Sequence, residues 1–318
     1  MKKKLAIGVL AFNEEKHIES VISNLLLLDY PIFIVDDFSS DKTLEIINKF
    51  KSLKNIFIIE NLQNLGAGES TKKLLENAKS QGFDFLVKID GDGQFSHLDV
   101  KKIINLYNEN NFEFIKSNRF WSNGIIGDIP KIRFFGNLLA TLFLQIISGS
   151  NKIYDPLNGL IGLSIKITEY IDDKYYPKRY GYPYFLTLTA VINNFRTHQI
   201  NNVVEYGNQK SNLNSVRVFL TILKLSWIFY FRKLKNKKIV GKYQRSAFFD
   251  ILFLWSSIIF LILFFVLIRI AFFSTFAIIS TSNLLLILVM VALFSSTCFI
   301  ISYKEEKNIR DEYISVEN

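Results

Sequence analysis

Four short, nearly unbroken apolar runs occupy the front of the chain, each followed by a segment whose apolar residues recur at helical spacing. Residues 5–10 precede 14–27, 32–35 precede 42–50, 56–59 precede 68–81, and 83–89 precede 98–108. A strand covered on both faces reads as a continuous apolar run rather than an alternating one. Such runs alternating with helical stretches predict an α/β domain built on a mostly parallel, Rossmann-like sheet. Ligands of these sheets bind beyond the carboxyl ends of the strands. The polar clusters fall there: Ala11-Phe12-Asn13-Glu14-Glu15, Asp36-Asp37-Phe38-Ser39-Ser40-Asp41, Asn64-Leu65-Gly66-Ala67-Gly68 and Asp90-Gly91-Asp92.

The pattern changes after Ala247. Residues 251–268 carry no formal charge, and neither do 271–302. The second stretch is too long for one crossing, and Ser280-Thr281-Ser282-Asn283 divides it. Residues 283–302 then match the roughly 20 that a bilayer core requires. Only helices satisfy their own backbone in lipid without closing a barrel, so a helical hairpin is expected. The basic block Arg232-Lys233-Leu-Lys235-Asn-Lys237-Lys238, continuing to Lys242 and Arg245, should stay on the cytoplasmic side. Two crossings return the C-terminus to that side. Residues 216–231 are apolar and aromatic but hold Arg217 and Lys224. That mixture suits a helix in the membrane interface, a third span or a core helix being the alternatives. The expected organisation is a cytoplasmic domain over 1–213, a juxtamembrane segment over 214–246, two spans over 247–303 and a cytoplasmic tail over 304–318. The start, Met1-Lys2-Lys3-Lys4 followed by residues 5–10, resembles a signal peptide until Asn13-Glu14-Glu15-Lys16 ends the apolar run too early.

Composition narrows the chemistry. The net charge of +9 permits nucleic-acid binding, yet the densest cations sit beside the apolar tail, where anionic headgroups are the natural partner. One cysteine, Cys298, allows neither an intrachain disulfide nor a thiolate cluster. His17, His97 and His198 are scattered, against zinc; His97 reads as a loop or helix-start residue.

Asp90 and Asp92 stand two apart where a buried strand should end, with Gln94 two further on. Magnesium is typically held by one or two carboxylates together with substrate phosphates and water. The string could also be a solvated turn or a calcium-loop fragment, but Lys101 stands where an EF-hand loop needs its glutamate. A P-loop string is absent. Ser40 or Asp41 is the expected cap of the following helix, leaving Asp36 and Asp37 to face a ligand. Gly66 and Gly68 mark a turn or a phosphate cradle; on the second reading Gly66 belongs to the nucleotide site.

Taken in order, these strings resemble glycosyltransferase family 2 with the GT-A fold, and more narrowly its dolichol-phosphate mannosyltransferase-like, polyprenyl-phosphate sugar transferases. Ser-Asn-Arg-Phe at 117–120, Asp-Pro-Leu-Asn-Gly at 155–159 and Tyr-Gly-Asn-Gln-Lys-Ser at 206–211 extend the resemblance to about residue 215. It implies that Phe12, Glu14 and Asp37 contact the base and ribose of a GDP- or UDP-sugar. Asp90, Asp92 and Gln94 would surround Mg²⁺ or Mn²⁺ and the diphosphate. Arg119, Lys131, Arg133 and Lys210 would meet the acceptor phosphate, and Asp155 would orient the acceptor site or support its loop. Glu69, Glu205 and the lack of an acid in 182–189 depart from the family pattern.

The reaction so implied is inverting transfer to a polyprenyl phosphate by a multi-pass inner-membrane enzyme. A phosphate acceptor needs no general base; a sugar hydroxyl would, and Asp155 is the candidate. The alternatives are a transferase extending a lipid-linked or surface glycan and, further off, an inactive membrane scaffold of the same fold. A processive synthase lacks its Gln-x-x-Arg-Trp string, and a nucleotidyltransferase its Gly-x-Gly-Thr-Arg string.

Overall fold

Strands and helices alternate through the front of the chain: β1 (Leu5–Ala11), α1 (Ile18–Leu26), β2 (Ile32–Asp36), α2 (Thr43–Asn48), β3 (Ile56–Glu60), α3 (Ala67–Ser80), β4 (Phe85–Asp90) and α4 (His97–Asn110). Then come β5 (Phe114–Asn118), α5 (Lys131–Ser148), β6 (Ile161–Ser164), a 3-10 turn (Ile165–Tyr170), α6 (Tyr182–Ile192) and β7 (Thr197–Asn201). Three longer helices follow: α7 (Ser215–Ile239), α8 (Gln244–Phe273) and α9 (Thr281–Val316). The computed structural model describes residues 4–120, 131–148, 152–202, 215–239, 244–273 and 281–316.

The seven strands form one sheet in the order β3-β2-β1-β4-β6-β5-β7. Pairings among β1, β2, β3 and β4 are parallel, β5 is parallel to β7, and β6 runs antiparallel to both neighbours. Every residue of β1 and β2 is buried, because helices cover both faces. The apolar faces of α1 and α4 close on Val9, Val87 and Ile89.

Ser96 caps α4 by accepting the Leu98 N–H at 3.0 Å, which makes His97 a helix-start residue. The expected cap of α2 is shared out differently. Lys42 holds the cap position without a side-chain bond, while Asp41 accepts the Thr43 N–H at 2.9 Å.

The chain divides into two units, Met1–Trp227 and Ile228–Asn318, so α7 contributes to both. In the first unit α7 packs on α6: Tyr184 and Ser226 share a 2.8 Å hydrogen bond, and Ile222 and Leu225 are buried. Its exposed side carries Arg217, Leu220, Lys224 and Trp227 at helical spacing.

In the second unit α8 and α9 pack together, with the Ser257 and Ser295 hydroxyls 3.1 Å apart. Their stretches Phe248–Ile270 and Ser282–Glu305 are long and apolar enough to cross a membrane. Asp250 is buried, accepts the Ser302 hydroxyl at 2.6 Å and lies 3.6 Å from Lys233 Nζ. α9 continues through residues 304–316, where Lys, Glu and Arg are strong helix formers.

Candidate functional site

Sheet register brings the polar clusters level. Ala11 pairs with Asp36, Leu10 with Asp90 and Asp36 with Glu60, so four parallel strands end along one line. The first two loops are stitched to each other. Asn13, in the left-handed region at φ 57, donates its N–H to Ser39 Oγ at 3.0 Å and accepts from the Ser40 N–H at 2.8 Å. The N–H of Glu14 donates to Thr43 Oγ1 at 2.7 Å, and that of Glu15 to Asp41 Oδ2 at 3.2 Å. Burial works to raise the Asp41 pKa, but the bonds from Thr43 and Glu15 outweigh it and hold the carboxyl below its ordinary value. Phe12 and Phe38 present exposed rings beside this seam.

Asp36 and Asp37 are both buried. Asp36 accepts the Ser39 N–H and hydroxyl at 3.0 and 2.5 Å. Asp37 accepts from Asn61 Nδ2, the Leu65 N–H and the Gly66 N–H, each at 2.8 Å. Its carboxylate therefore organises the loop carrying the two glycines. Those glycines permit a close approach: a Cβ at Gly68 would stand 2.0 Å from Pro177 O, and one at Gly66, where φ is 93°, 2.4 Å from Arg179 Cγ. Nearby, the Glu69 N–H donates to Lys178 O at 2.9 Å, so a protein carbonyl takes a donor at the start of α3.

Asp90 and Asp92 lie at the end of β4 and in the turn beyond it, half-buried, with Glu14 in electrostatic reach of both. The Asp92 carboxylate accepts the Gln94 N–H at 3.0 Å, so Gln94 contributes its backbone to the turn. Burial first, and then the Asp90 charge, raise the Asp92 pKa to about 6. Burial, then Asp92 and Asp90, raise that of Glu14 to about 7. Beneath them is a residue that sequence reasoning passed over. Lys88 is fully buried and donates to Asp90, to Tyr182 Oη at 2.6 Å and to Gly159 O at 3.3 Å. Burial opposes its charge, but Asp90 and Tyr182 more than offset this and hold its pKa above the ordinary lysine value.

Further along the sheet, Arg119 clasps Asp155 with Nε–Oδ2 at 2.7 Å and Nη2–Oδ1 at 2.9 Å, and its N–H adds a third bond at 3.2 Å. Asp155 is completely buried. Lys116, also completely buried, donates to Asn158 O at 2.5 Å, and burial depresses its pKa well below the usual value. Register places Lys88 and Lys116 on either side of Ile161, on one face of the sheet. Both reach carbonyls of the loop Asp155–Gly159. The signal was a lone lysine inside each of two otherwise apolar strands, Leu86-Val87-Lys88-Ile89 and Phe114-Ile115-Lys116. The side chains of Lys131 and Arg133, and the whole of Lys210, lie outside the described residues.

Among the described residues no three His, Cys, Asp or Glu side chains form a cage for a metal. Two adjoining carboxylates backed by a third suit a site completed by a ligand's own oxygens.

The family model for glycosyl transferase family 2 matches residues 6–170. Among curated proteins, the chain is 26% identical over 219 residues to an uncharacterized protein of Methanocaldococcus jannaschii, covering 67% of this chain and 93% of that one. It is 28% identical over 192 residues to the UDP-N-acetylglucosamine–dolichyl-phosphate N-acetylglucosaminyltransferase of Methanococcus voltae, covering 56% of this chain and 76% of that protein. Among solved structures, the glucosyl-3-phosphoglycerate synthase of Mycobacterium tuberculosis with Mn²⁺, UDP-glucose and phosphoglyceric acid superposes at a TM-score of 0.54. That match has 19% identity and covers 71% of this chain and 80% of the other, a likeness of fold, here GT-A.

Proposed function

The chain belongs to glycosyl transferase family 2, and from that premise we propose that it moves a sugar from a nucleoside-diphosphate donor to a polyprenyl phosphate at a membrane surface. The observation that carries the lipid acceptor is on α5. Phe135, Leu138, Leu139 and Leu142 stand exposed there at i, i+3, i+4 and i+7, an apolar stripe in the same unit as the candidate site. The relative from Methanococcus voltae, named for a dolichyl-phosphate acceptor, supports the same reading.

In the proposed reaction a phosphate oxygen of the acceptor attacks the anomeric carbon from the face opposite the leaving group. A bond from that carbon to the acceptor oxygen forms as its bond to the nucleoside diphosphate breaks. The electron pair departs with the diphosphate, and the configuration inverts. Asp92, with the oxygen of Asp90 not engaged by Lys88, would hold Mg²⁺ or Mn²⁺, whose charge would offset that of the departing diphosphate. Lys88 fixes the direction of the Asp90 carboxylate from below. Phe12 and Phe38 offer ring faces to a base, and Asp37 shapes the loop beside it. The hydroxyl-acceptor alternative needs a carboxylate able to take a proton, and Asp155 is sealed against Arg119 instead.

The full chain, given radiolabelled UDP-N-acetylglucosamine or a GDP-sugar with Mn²⁺ and a polyprenyl phosphate, is expected to carry label into the organic phase. Label appearing only in glycan or in the aqueous phase would overturn the acceptor assignment.

The raised carboxyls give a second expectation. Glu14 and Asp92 bind protons more tightly when folded, so their contribution to stability is full below the ordinary carboxylate values of 4.5 and 3.8 and is lost as pH rises through about 6 to 7. Glu14→Gln/Asp92→Asn should therefore weaken the loss of metal-free stability between about pH 5 and about pH 8, and in the unaltered protein Mn²⁺ should add more stability at the higher pH. Equal Mn²⁺ shifts at both values would remove the cation from this site.

A further inference from the structure

A cavity of about 320 Å³ lies between the segment 174–180 and the first turns of α7. Its walls bring Lys174, Lys178, Arg179, Arg217 and Lys224 together with Tyr180, and among the described residues no acidic side chain lines it. The neighbouring Asp173 is turned away to Lys72, 2.6 Å distant. Lys174, Lys178 and Lys224, with Arg179 donating to Asn64 O at 3.3 Å beside them, concentrate positive charge around the cavity that an anionic ligand would relieve. None of its lining residues belongs to the cluster around Asp90 and Asp92.

The walls are fixed before any ligand arrives. Tyr176 Oη donates to Gly68 O at 2.9 Å, and the Lys178 carbonyl accepts from Glu69, so one wall is clamped to the start of α3. The other wall is α7, whose Thr221 comes so near that a Cβ on Gly181 would stand 2.9 Å from its methyl group. On α7 the cavity's Arg217 and Lys224 alternate with Leu220 and Trp227, each 58% exposed. Cations interleaved with large apolar side chains on one exposed stripe match the layered chemistry of a bilayer's headgroup zone.

We infer that this cavity binds the phosphate headgroup of an anionic phospholipid, with Leu220 and Trp227 entering the acyl boundary beside it. The inference rests on reading the chain as a membrane protein, with Phe248–Ile270 and Ser282–Glu305 as its spans; it does not depend on the donor or acceptor. A free phosphate or pyrophosphate would offer the same charge but nothing to Leu220 and Trp227.

The test is thermal unfolding of the full chain in neutral detergent with short-chain phosphatidylglycerol, short-chain phosphatidylcholine, or inorganic pyrophosphate. Phosphatidylglycerol should raise the melting temperature by about 3 °C or more, and phosphatidylcholine by much less. Lys178→Gln/Lys224→Gln should lose at least half of that shift, while Lys54→Gln/Lys101→Gln on the remote surface keeps it. Equal shifts with the two lipids, a full shift in the cavity double variant, or an equal shift from pyrophosphate alone would each overturn the inference. UDP with Mn²⁺ is read in parallel: loss of that response alone counts against the proposed transfer and leaves the lipid site standing.

Discussion

Gly159→Ala is expected to lower the transfer rate by about 100-fold while the sheet stays folded. An added Cβ would lie 2.2 Å from Asp90 Oδ2, a separation no real Cβ adopts, so one partner must move by about an ångström. Neither moves freely. Asp90 is held through Lys88, itself tied to Tyr182 and buried on every side. The loop is held by Lys116 on Asn158 O and by Asn158 Nδ2 on Ser117 O at 3.1 Å. The backbone at Gly159 is not in the left-handed region, so alanine meets no conformational penalty and the collision is the whole effect. The measurement is the initial rate beside far-UV circular dichroism and the UDP–Mn²⁺ thermal shift. A variant with the wild-type rate would show that the Asp90 direction is unimportant to transfer.

The elements legible from sequence were those whose residues declare their environment locally. β1, β2 and β4 are apolar because helices cover them on both sides, β3 is an apolar but half-exposed edge strand, and each matches its apolar run to within about two residues. The second half of the sheet declared nothing of the kind. β5 ends Lys116-Ser117-Asn118, all buried, and β7 reads Thr-His-Gln-Ile-Asn. Polar residues are tolerated in β5 because distant carbonyls meet them, as Asn158 O meets Lys116 and Leu160 O meets Ser117. A pattern read in a short window contains no trace of such partners.

The same reasoning separates the site residues. Asp90 and Asp92 were visible as a spacing. Lys88 and Lys116 were visible only as interruptions, and the purpose of an interruption emerges once register sets both beside Ile161. Glu14 was expected to open the first helix, yet α1 begins at Ile18. The hydrogen bonds that hold residues 13–15 come from the neighbouring loop, and they turn Glu14 toward the two aspartates instead.

Asp155→Asn should destabilise the front unit by about 3–5 kcal/mol, the usual result of removing one member of a buried ion pair. The pair is bidentate, Asp155 is completely buried, and the Arg119 side chain is only 18% exposed, so little solvent is at hand to replace the lost charge. Asp155 also opposes the depression of the Lys116 pKa, so its loss leaves a second buried cation less supported. At about 2–4 °C per kcal/mol, the melting temperature should fall by at least about 6 °C. Removing both charges with Asp155→Asn/Arg119→Gln should cost less than the sum of the two single changes, because neither leaves the other stranded. A general base would behave otherwise: its amide variant would melt like wild type and lose turnover. Measured stability and turnover, taken well below the melting temperature of either protein, therefore separate the two roles. An Asp155→Asn protein as stable as wild type but inactive would return this carboxylate to the chemistry and favour a hydroxyl acceptor over a phosphate.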